Sequence, residues 1–130
     1  MTLLYLVRHG ETVDNANRIM QGQTQGKLCK RKERQAEELA ERLKDEPIDA
    51  FVSSDLQRSI HTCELIARPH GKAVTTTPLL RERDWGSFTG KYIPNLANLN
   101  DPSLWSDDIE SLDALKARAK DFFTWLKEEY

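Results

Sequence analysis

The triplet Arg8-His9-Gly10, followed by Glu11-Thr12, stands directly after the apolar run Leu3-Leu4-Tyr5-Leu6-Val7. These residue types at this spacing suit a nucleophile aimed at a phosphate. The arginine holds the anion, the glycine removes side-chain bulk from the turn, and the imidazole is left at a strand's carboxyl end, where open α/β sheets bind ligands. A second candidate, Arg58, falls within the first turn or so of a helix that follows another apolar strand. Its guanidinium forks onto phosphate oxygens, and the helix's amino end adds favourable amide dipoles. The third is Glu82, in Leu80-Arg81-Glu82-Arg83-Asp84-Trp85-Gly86. A carboxyl held among apolar neighbours and close to a bound anion keeps a proton more readily and can give it to a leaving alkoxide.

The elements that must position these groups are legible from periodicity. Residues 3–7 form a short continuous apolar run, the pattern of a strand buried on both faces. Residues 31–45 read as a helix, with Ala36, Leu39, Ala40 and Leu43 on one stripe and Pro47 ending it. Residues 48–53 read as a second strand, and Ser54-Asp55 supplies cap-forming side chains. The following helix places Leu56, Ile60, Cys63 and Ala67 on one face and is broken at Pro69-His70-Gly71. A β-branched third strand spans 72–77, and 85–108 reads as a long excursion with short helical pieces. The last helix starts near Ser111, with Leu112, Leu115, Ala119, Phe122 and Leu126 on its inner face. Strand, helix, strand, helix, strand, loop, helix is the order of an α/β domain with right-handed crossovers and a parallel sheet.

Composition bounds the rest. A chain of 130 residues allows one domain, here 1–130, with one core. Nineteen lysines and arginines against 21 aspartates and glutamates give a formal charge of −2. No basic field recruits a polyanion, which argues against nucleic-acid binding as the main role. No stretch approaches the ~20 apolar residues of a bilayer span, and the start lacks a signal-peptide pattern. Cys29 and Cys63 make no metal spacing and read as free thiols in a reducing cytoplasm.

Read together, these residues resemble the histidine phosphatase superfamily, also called the phosphoglycerate mutase-like family. The likeness extends beyond Arg8-His9-Gly10-Glu11-Thr12 to Asn15, Gln21-Gly22, Gln35-Ala36, the run from Ser53 to Ser59 with Thr62, and Leu80-Arg81-Glu82-Arg83 with Gly86 and Gly90. Glu110-Ser111 and Arg118 stand where the family has a Gly-Glu-Ser element and a helical arginine. The resemblance implies a three-layer α/β/α sandwich with a mainly parallel sheet. It implies that His9 attacks phosphorus, that Arg8 and Arg58 clamp the phosphoryl oxygens, and that Asn15 and the Gln21-Gly22 backbone line the substrate side. Glu82 then protonates the departing oxygen, and neither metal nor cofactor is required. Neighbouring arginines favour the neutral imidazole that attack demands.

Family members also carry a second histidine, followed by glycine, on a strand after the last helix and beside strand one. Neither His61, in mid-helix, nor His70, in a turn, fits that motif. The expectation is a member lacking its carboxy-terminal strand or strands, with activity reduced by loss of that donor. The edge of strand one would then be open to pairing with a second copy. Residues 25–32 also depart from the family, placing lysines and arginines at a helix amino end where the dipole disfavours them. The expected function is a cytoplasmic phosphomonoesterase acting on a small phosphorylated metabolite. Its rivals are a non-catalytic phosphate-binding or interaction module and a phosphoglycerate mutase-type phosphotransferase. The short stretch between Gly90 and Glu110 favours phosphatase over mutase.

Overall fold

The computed structural model describes residues 2–130. Its centre is a parallel pair of short strands, β1 (Phe51–Ser53) and β2 (Val74–Thr76), with Phe51 opposite Val74 and Ser53 opposite Thr76. The helix between them, α3 (Gln57–Ala67), packs on both strands and against α2 (Lys30–Leu43). Phe51, Ile66 and Ala67 form the buried cluster, and Leu39, Leu43, Ile48, Cys63 and Val74 close over it. This is the expected parallel strand–helix–strand unit.

The helices follow the expected stripes in part. In α2, Ala36 and Ala40 are buried and Leu39 and Leu43 pack at the core's edge. In α3 the inward residues are Arg58, Thr62, Leu65, Ile66 and Ala67, while Ile60 and Cys63 are only half-buried. Arg58, Thr62 and Ile66 are spaced one turn apart, so a single buried stripe runs from polar at one end to apolar at the other. The first turn of α2 is basic, and Lys32 there lies 3.5 Å from Glu11, which offsets part of the unfavourable dipole term.

Residues 3–7 depart from expectation: they join no strand. Leu3 is 76 % and Leu6 86 % exposed. A strand exists only through a neighbour's hydrogen bonds, and among the described residues β1 and β2 pair only with each other. An apolar run states a preference for burial and cannot supply the partner.

Thr12 and Asn15 form a reciprocal capping box around the one-turn helix α1 (Val13–Ala16). The loop that follows is closed at its base by a bridge between Thr12 and Leu28. Residues 85–108 contain short 3₁₀ turns at Gly86–Phe88, Ile93–Asn95 and Pro102–Leu104. Trp85, Phe88 and Trp105 pack edge to face in this stretch and hold the Arg83 guanidinium 4.8 Å from the Trp85 ring. The last helix, α4 (Leu112–Glu129), is capped by the Ser111 hydroxyl and rests on the turn Pro78–Leu80. Its inner face is narrower than expected. Phe122 is buried and Leu115 and Leu126 are half-buried, but Leu112 and Ala119 face solvent because α4 meets a turn rather than a sheet.

Candidate active site

His9 follows the unpaired segment and turns into a cleft of about 490 Å³ lined by Arg8, His9, Gly10, Asn15, Lys32 and Thr62 among others. Its ring is oriented by the next residue: Nδ1 lies 2.6 Å from the Gly10 carbonyl oxygen. A carbonyl only accepts, so Nδ1 carries the proton and Nε2 keeps its lone pair. The Gly10 peptide is fixed in turn, its N–H donating to Thr62 Oγ1 at 3.2 Å. Thr62 is 5 % exposed and donates to the Arg58 carbonyl at 2.9 Å. The histidine turn is thereby fastened to α3.

Burial lowers the His9 pKa below its usual value, opposed by the Gly10 hydrogen bond and by Glu82 and assisted by Arg58 and Arg8. The neutral ring, with Nε2 free, is the nucleophilic form. Arg8 is exposed and lines the same cleft.

Arg58 is 2 % exposed, and its Nη1 and Nη2 donate to the carbonyls of Thr24 (2.9 Å) and Gly22 (2.7 Å). Its Nε is buried without a partner. Burial pulls its pKa down, while Glu82 and Asp14 favour the charged form. The expected help from the helix's amino end is absent, because the Gln57 and Arg58 amides donate to the Gln25 side-chain oxygen and carbonyl (3.0 and 2.9 Å). Gly26 lets this loop approach so closely. At φ +70°, a Cβ there would lie 3.0 Å from Arg58 Cδ.

Asn15 lines the cleft while its Oδ1 accepts the Thr12 N–H at 3.2 Å. Gln21 and Gly22 are brought elsewhere. Both are buried; Gln21 Oε1 accepts the Thr12 hydroxyl at 2.6 Å, and the Gly22 carbonyl holds Arg58. They brace the loop behind the arginine and do not line the cleft beside His9. Glu82 is exposed rather than set among apolar neighbours, and its Oε1 accepts the Arg83 N–H at 2.6 Å. Its charge favours the protonated form of both His9 and Arg58.

Residues read in the sequence only as a helix cap (Asp55) or as family positions (Glu110, Arg118) tie the site together, and α3 has no side-chain cap at its Leu56 N-cap. Asp55 takes a bidentate ion pair from Arg81, both contacts 2.6 Å, joining the start of α3 to the segment that carries Glu82. Arg118 and Glu110 hold that segment from the other side. The Thr12-x-x-Asn15 spacing was the one local signal among these bracing contacts, being that of a capping box. His61 lies 3.8 Å from Glu33 and His70 stacks on Phe51 at 5.0 Å, so neither joins the cleft. Burial pushes the Cys63 thiol up to about 11, which makes it unreactive, and neither cysteine is bonded to the other.

Comparison with known proteins agrees with this geometry. The chain is 42 % identical over 97 residues to the probable phosphoglycerate mutase GpmB of Cronobacter sakazakii, covering 75 % of this chain and 45 % of that protein. It is 44 % identical over 96 residues to the Proteus mirabilis protein of the same name, covering 74 % and 45 %. The chain thus spans about half the length of the curated relatives it matches. Among solved structures it superposes on the alpha-ribazole phosphatase of Shigella flexneri with a TM-score of 0.85 at 27 % identity, covering 95 % of this chain and 66 % of that one. A mycobacterial glucosyl-3-phosphoglycerate phosphatase gives a TM-score of 0.78 at 26 % identity, with 91 % and 60 % covered. The fold is the α/β, phosphoglycerate mutase-like one. The family model of the histidine phosphatase superfamily (branch 1) matches residues 4–130, and the chain belongs to that superfamily.

Proposed function

We propose that this chain carries the nucleophile, clamp and acid of a phosphomonoesterase that works through a phosphohistidine, in the cytoplasm and on a small phosphorylated metabolite. The observation that carries the reading is His9, half-buried, with Nδ1 turned to the Gly10 carbonyl and Nε2 keeping its lone pair, in a cleft that Arg8 and Asn15 also line. Nε2 attacks phosphorus and the P–O bond to the leaving group breaks, its electron pair going to that oxygen. Glu82 supplies the proton. Water then attacks the phosphohistidine, Glu82 takes a proton back, and inorganic phosphate leaves with His9 restored.

Arg58 supports this reading through what it lacks. A guanidinium has five N–H groups, and the loop carbonyls take two donors here while Nε is buried and unsatisfied. Leaving such a donor unmet costs about 1–3 kcal/mol, which a bound phosphoryl oxygen would recover. Arg8 offers a second guanidinium from the cleft's open side. Asn15 Nδ2 is a further donor on the substrate side. The short stretch between Gly90 and Glu110 favours hydrolysis over transfer to a second substrate hydroxyl. The exposed, unpaired residues 3–7 are the surface on which a second copy would pair, a point that size-exclusion chromatography decides directly. Among the described residues no helix is long and apolar enough to cross a membrane.

The test is hydrolysis of 4-nitrophenyl phosphate by the chain and by His9→Ala, without added metal. Turnover that disappears with His9 supports the reading. Equal background rates in two folded samples refute it. One observation favours a second reading, a phosphate-binding module without turnover: Glu82 is exposed, with one carboxyl oxygen already held by the Arg83 amide. Such a module binds vanadate but never traps phosphate covalently on His9.

A further inference from the structure

The segment carrying Glu82 belongs to no helix or strand from Arg81 to Trp85, and Glu82 itself is exposed. Its placement therefore depends on contacts from outside. Asp55 and Gln23 hold it from one side, Gln23 Nε2 donating to the Glu82 carbonyl at 3.2 Å. From the other it is held by Glu110 and by Arg118, a full helix turn and more into α4. Its Nη1 donates to the Arg81 carbonyl at 2.5 Å and to the Leu79 carbonyl at 3.3 Å. Its Nη2 donates to the Glu82 carbonyl at 3.3 Å and to Glu110 Oε1 at 2.8 Å, and Nε donates to Glu110 Oε2 at 3.1 Å. These contacts take up all five N–H groups of the guanidinium.

Glu110 completes the bracket. Its Oε1 also accepts the Asp84 N–H at 2.9 Å, its own N–H donates to the Asp84 carbonyl at 2.8 Å, and its carbonyl accepts Arg83 Nε at 2.8 Å. Burial works to raise the Glu110 carboxyl, yet the hydrogen bonds from Arg118 and the Asp84 amide outweigh it and hold the group ionised below the usual carboxylate range. Carbonyls of residues 79, 81 and 82 and the amide of 84 are thus held on one largely buried ion pair. The residue between, Arg83, donates its amide to the Glu82 carboxylate.

We propose that Arg118, seated by Glu110, is a positioning residue that sets the Glu82 carboxyl against the leaving group of the bound ester. The inference rests on Glu82 being the acid and extends that reading to the device that aims it. A compact lysine ammonium cannot reproduce a planar fork with five directed donors, so Arg118→Lys does not restore the function.

A leaving group that departs easily has little need of an acid, whereas an alkoxide depends on one. Turnover of glycerol 2-phosphate and of 4-nitrophenyl phosphate by the chain, Arg118→Gln and Arg118→Lys separates positioning from general loss of structure. The expected result is a fall of about 10²-fold or more in kcat on the alkyl ester and less than about threefold on the nitrophenyl ester. Equal losses on both esters overturn the proposal. A second measurement needs no turnover: amide hydrogen exchange in Arg118→Gln. The Arg83 and Asp84 amides are expected to exchange at least about tenfold faster, with Phe51 to Ser53 unchanged. Unchanged exchange at both amides overturns the clamp whatever the activity. If the unsubstituted chain turns over neither ester, Glu82's role as acid falls, and the clamp is decided by exchange alone.

Discussion

Replacing Thr62 by valine keeps the side chain's shape and removes one hydroxyl. The Arg58 carbonyl loses little, because it still accepts the helical hydrogen bond within α3. The Gly10 N–H loses its one partner among the described residues, Thr62 Oγ1 at 3.2 Å, in a place where Thr62 itself is 5 % exposed. An unmet donor in such a place costs about 1–3 kcal/mol. For a chain of this length each kcal/mol lowers the melting temperature by about 3–5 °C, so Thr62→Val should melt about 3–15 °C lower. Circular dichroism reads the shift. The same peptide carries the carbonyl that orients His9, so the loss should also release the ring. ¹⁵N spectra should show Nδ1 no longer uniformly protonated, and the Gly10 amide should exchange faster. A variant that melts within about 1 °C of the parent, with its His9 tautomer unchanged, would refute the view that α3 holds the nucleophile through Thr62.

Two further outcomes follow from the geometry. His9 should titrate below its ordinary value of 6.5, since burial and the two arginines outweigh the Gly10 hydrogen bond and the Glu82 charge. The folded state then binds fewer protons than the unfolded one between the two midpoints, so this increment of stability is complete above pH 6.5 and is lost as pH falls toward the folded midpoint. Proton NMR of the His9 ring checks both, and a midpoint at or above 6.5 contradicts the stated causes. Gly86 sits at φ +48°, and a Cβ there would lie 2.7 Å from the Asp108 carbonyl carbon. Gly86→Ala should destabilise the chain by about 2–4 kcal/mol in urea melts, and a neutral result would show that the 85–108 excursion yields freely.

Much of the site was legible because its chemistry is carried by side-chain type and local order. His9, Arg8 and Asn15 do share a cleft. The helices were legible for the same local reason: Ala36 and Ala40 turn inward because a 3.6-residue period repeats within a single segment. Gln21 and Gly22 are placed on the substrate side by the family resemblance, which carries no record of how this loop is braced. The loop bridge at Thr12 and Leu28 instead turns them behind Arg58.

The amino-acid sequence by itself determined which groups can do chemistry, which stretches coil into helices, and the strand–helix–strand unit from residue 51 to residue 76. Each of these depends on neighbours a few residues away. Only the tertiary structure decided that residues 3–7 stay unpaired, that Gln25 occupies the amino end of α3, and that Arg118 holds the backbone around Glu82. A strand, a borrowed cap and a guanidinium with five directed donors all need partners from distant parts of the chain. Such partners are chosen by packing, where many residues of suitable type compete and only the one within about 3 Å makes the bond.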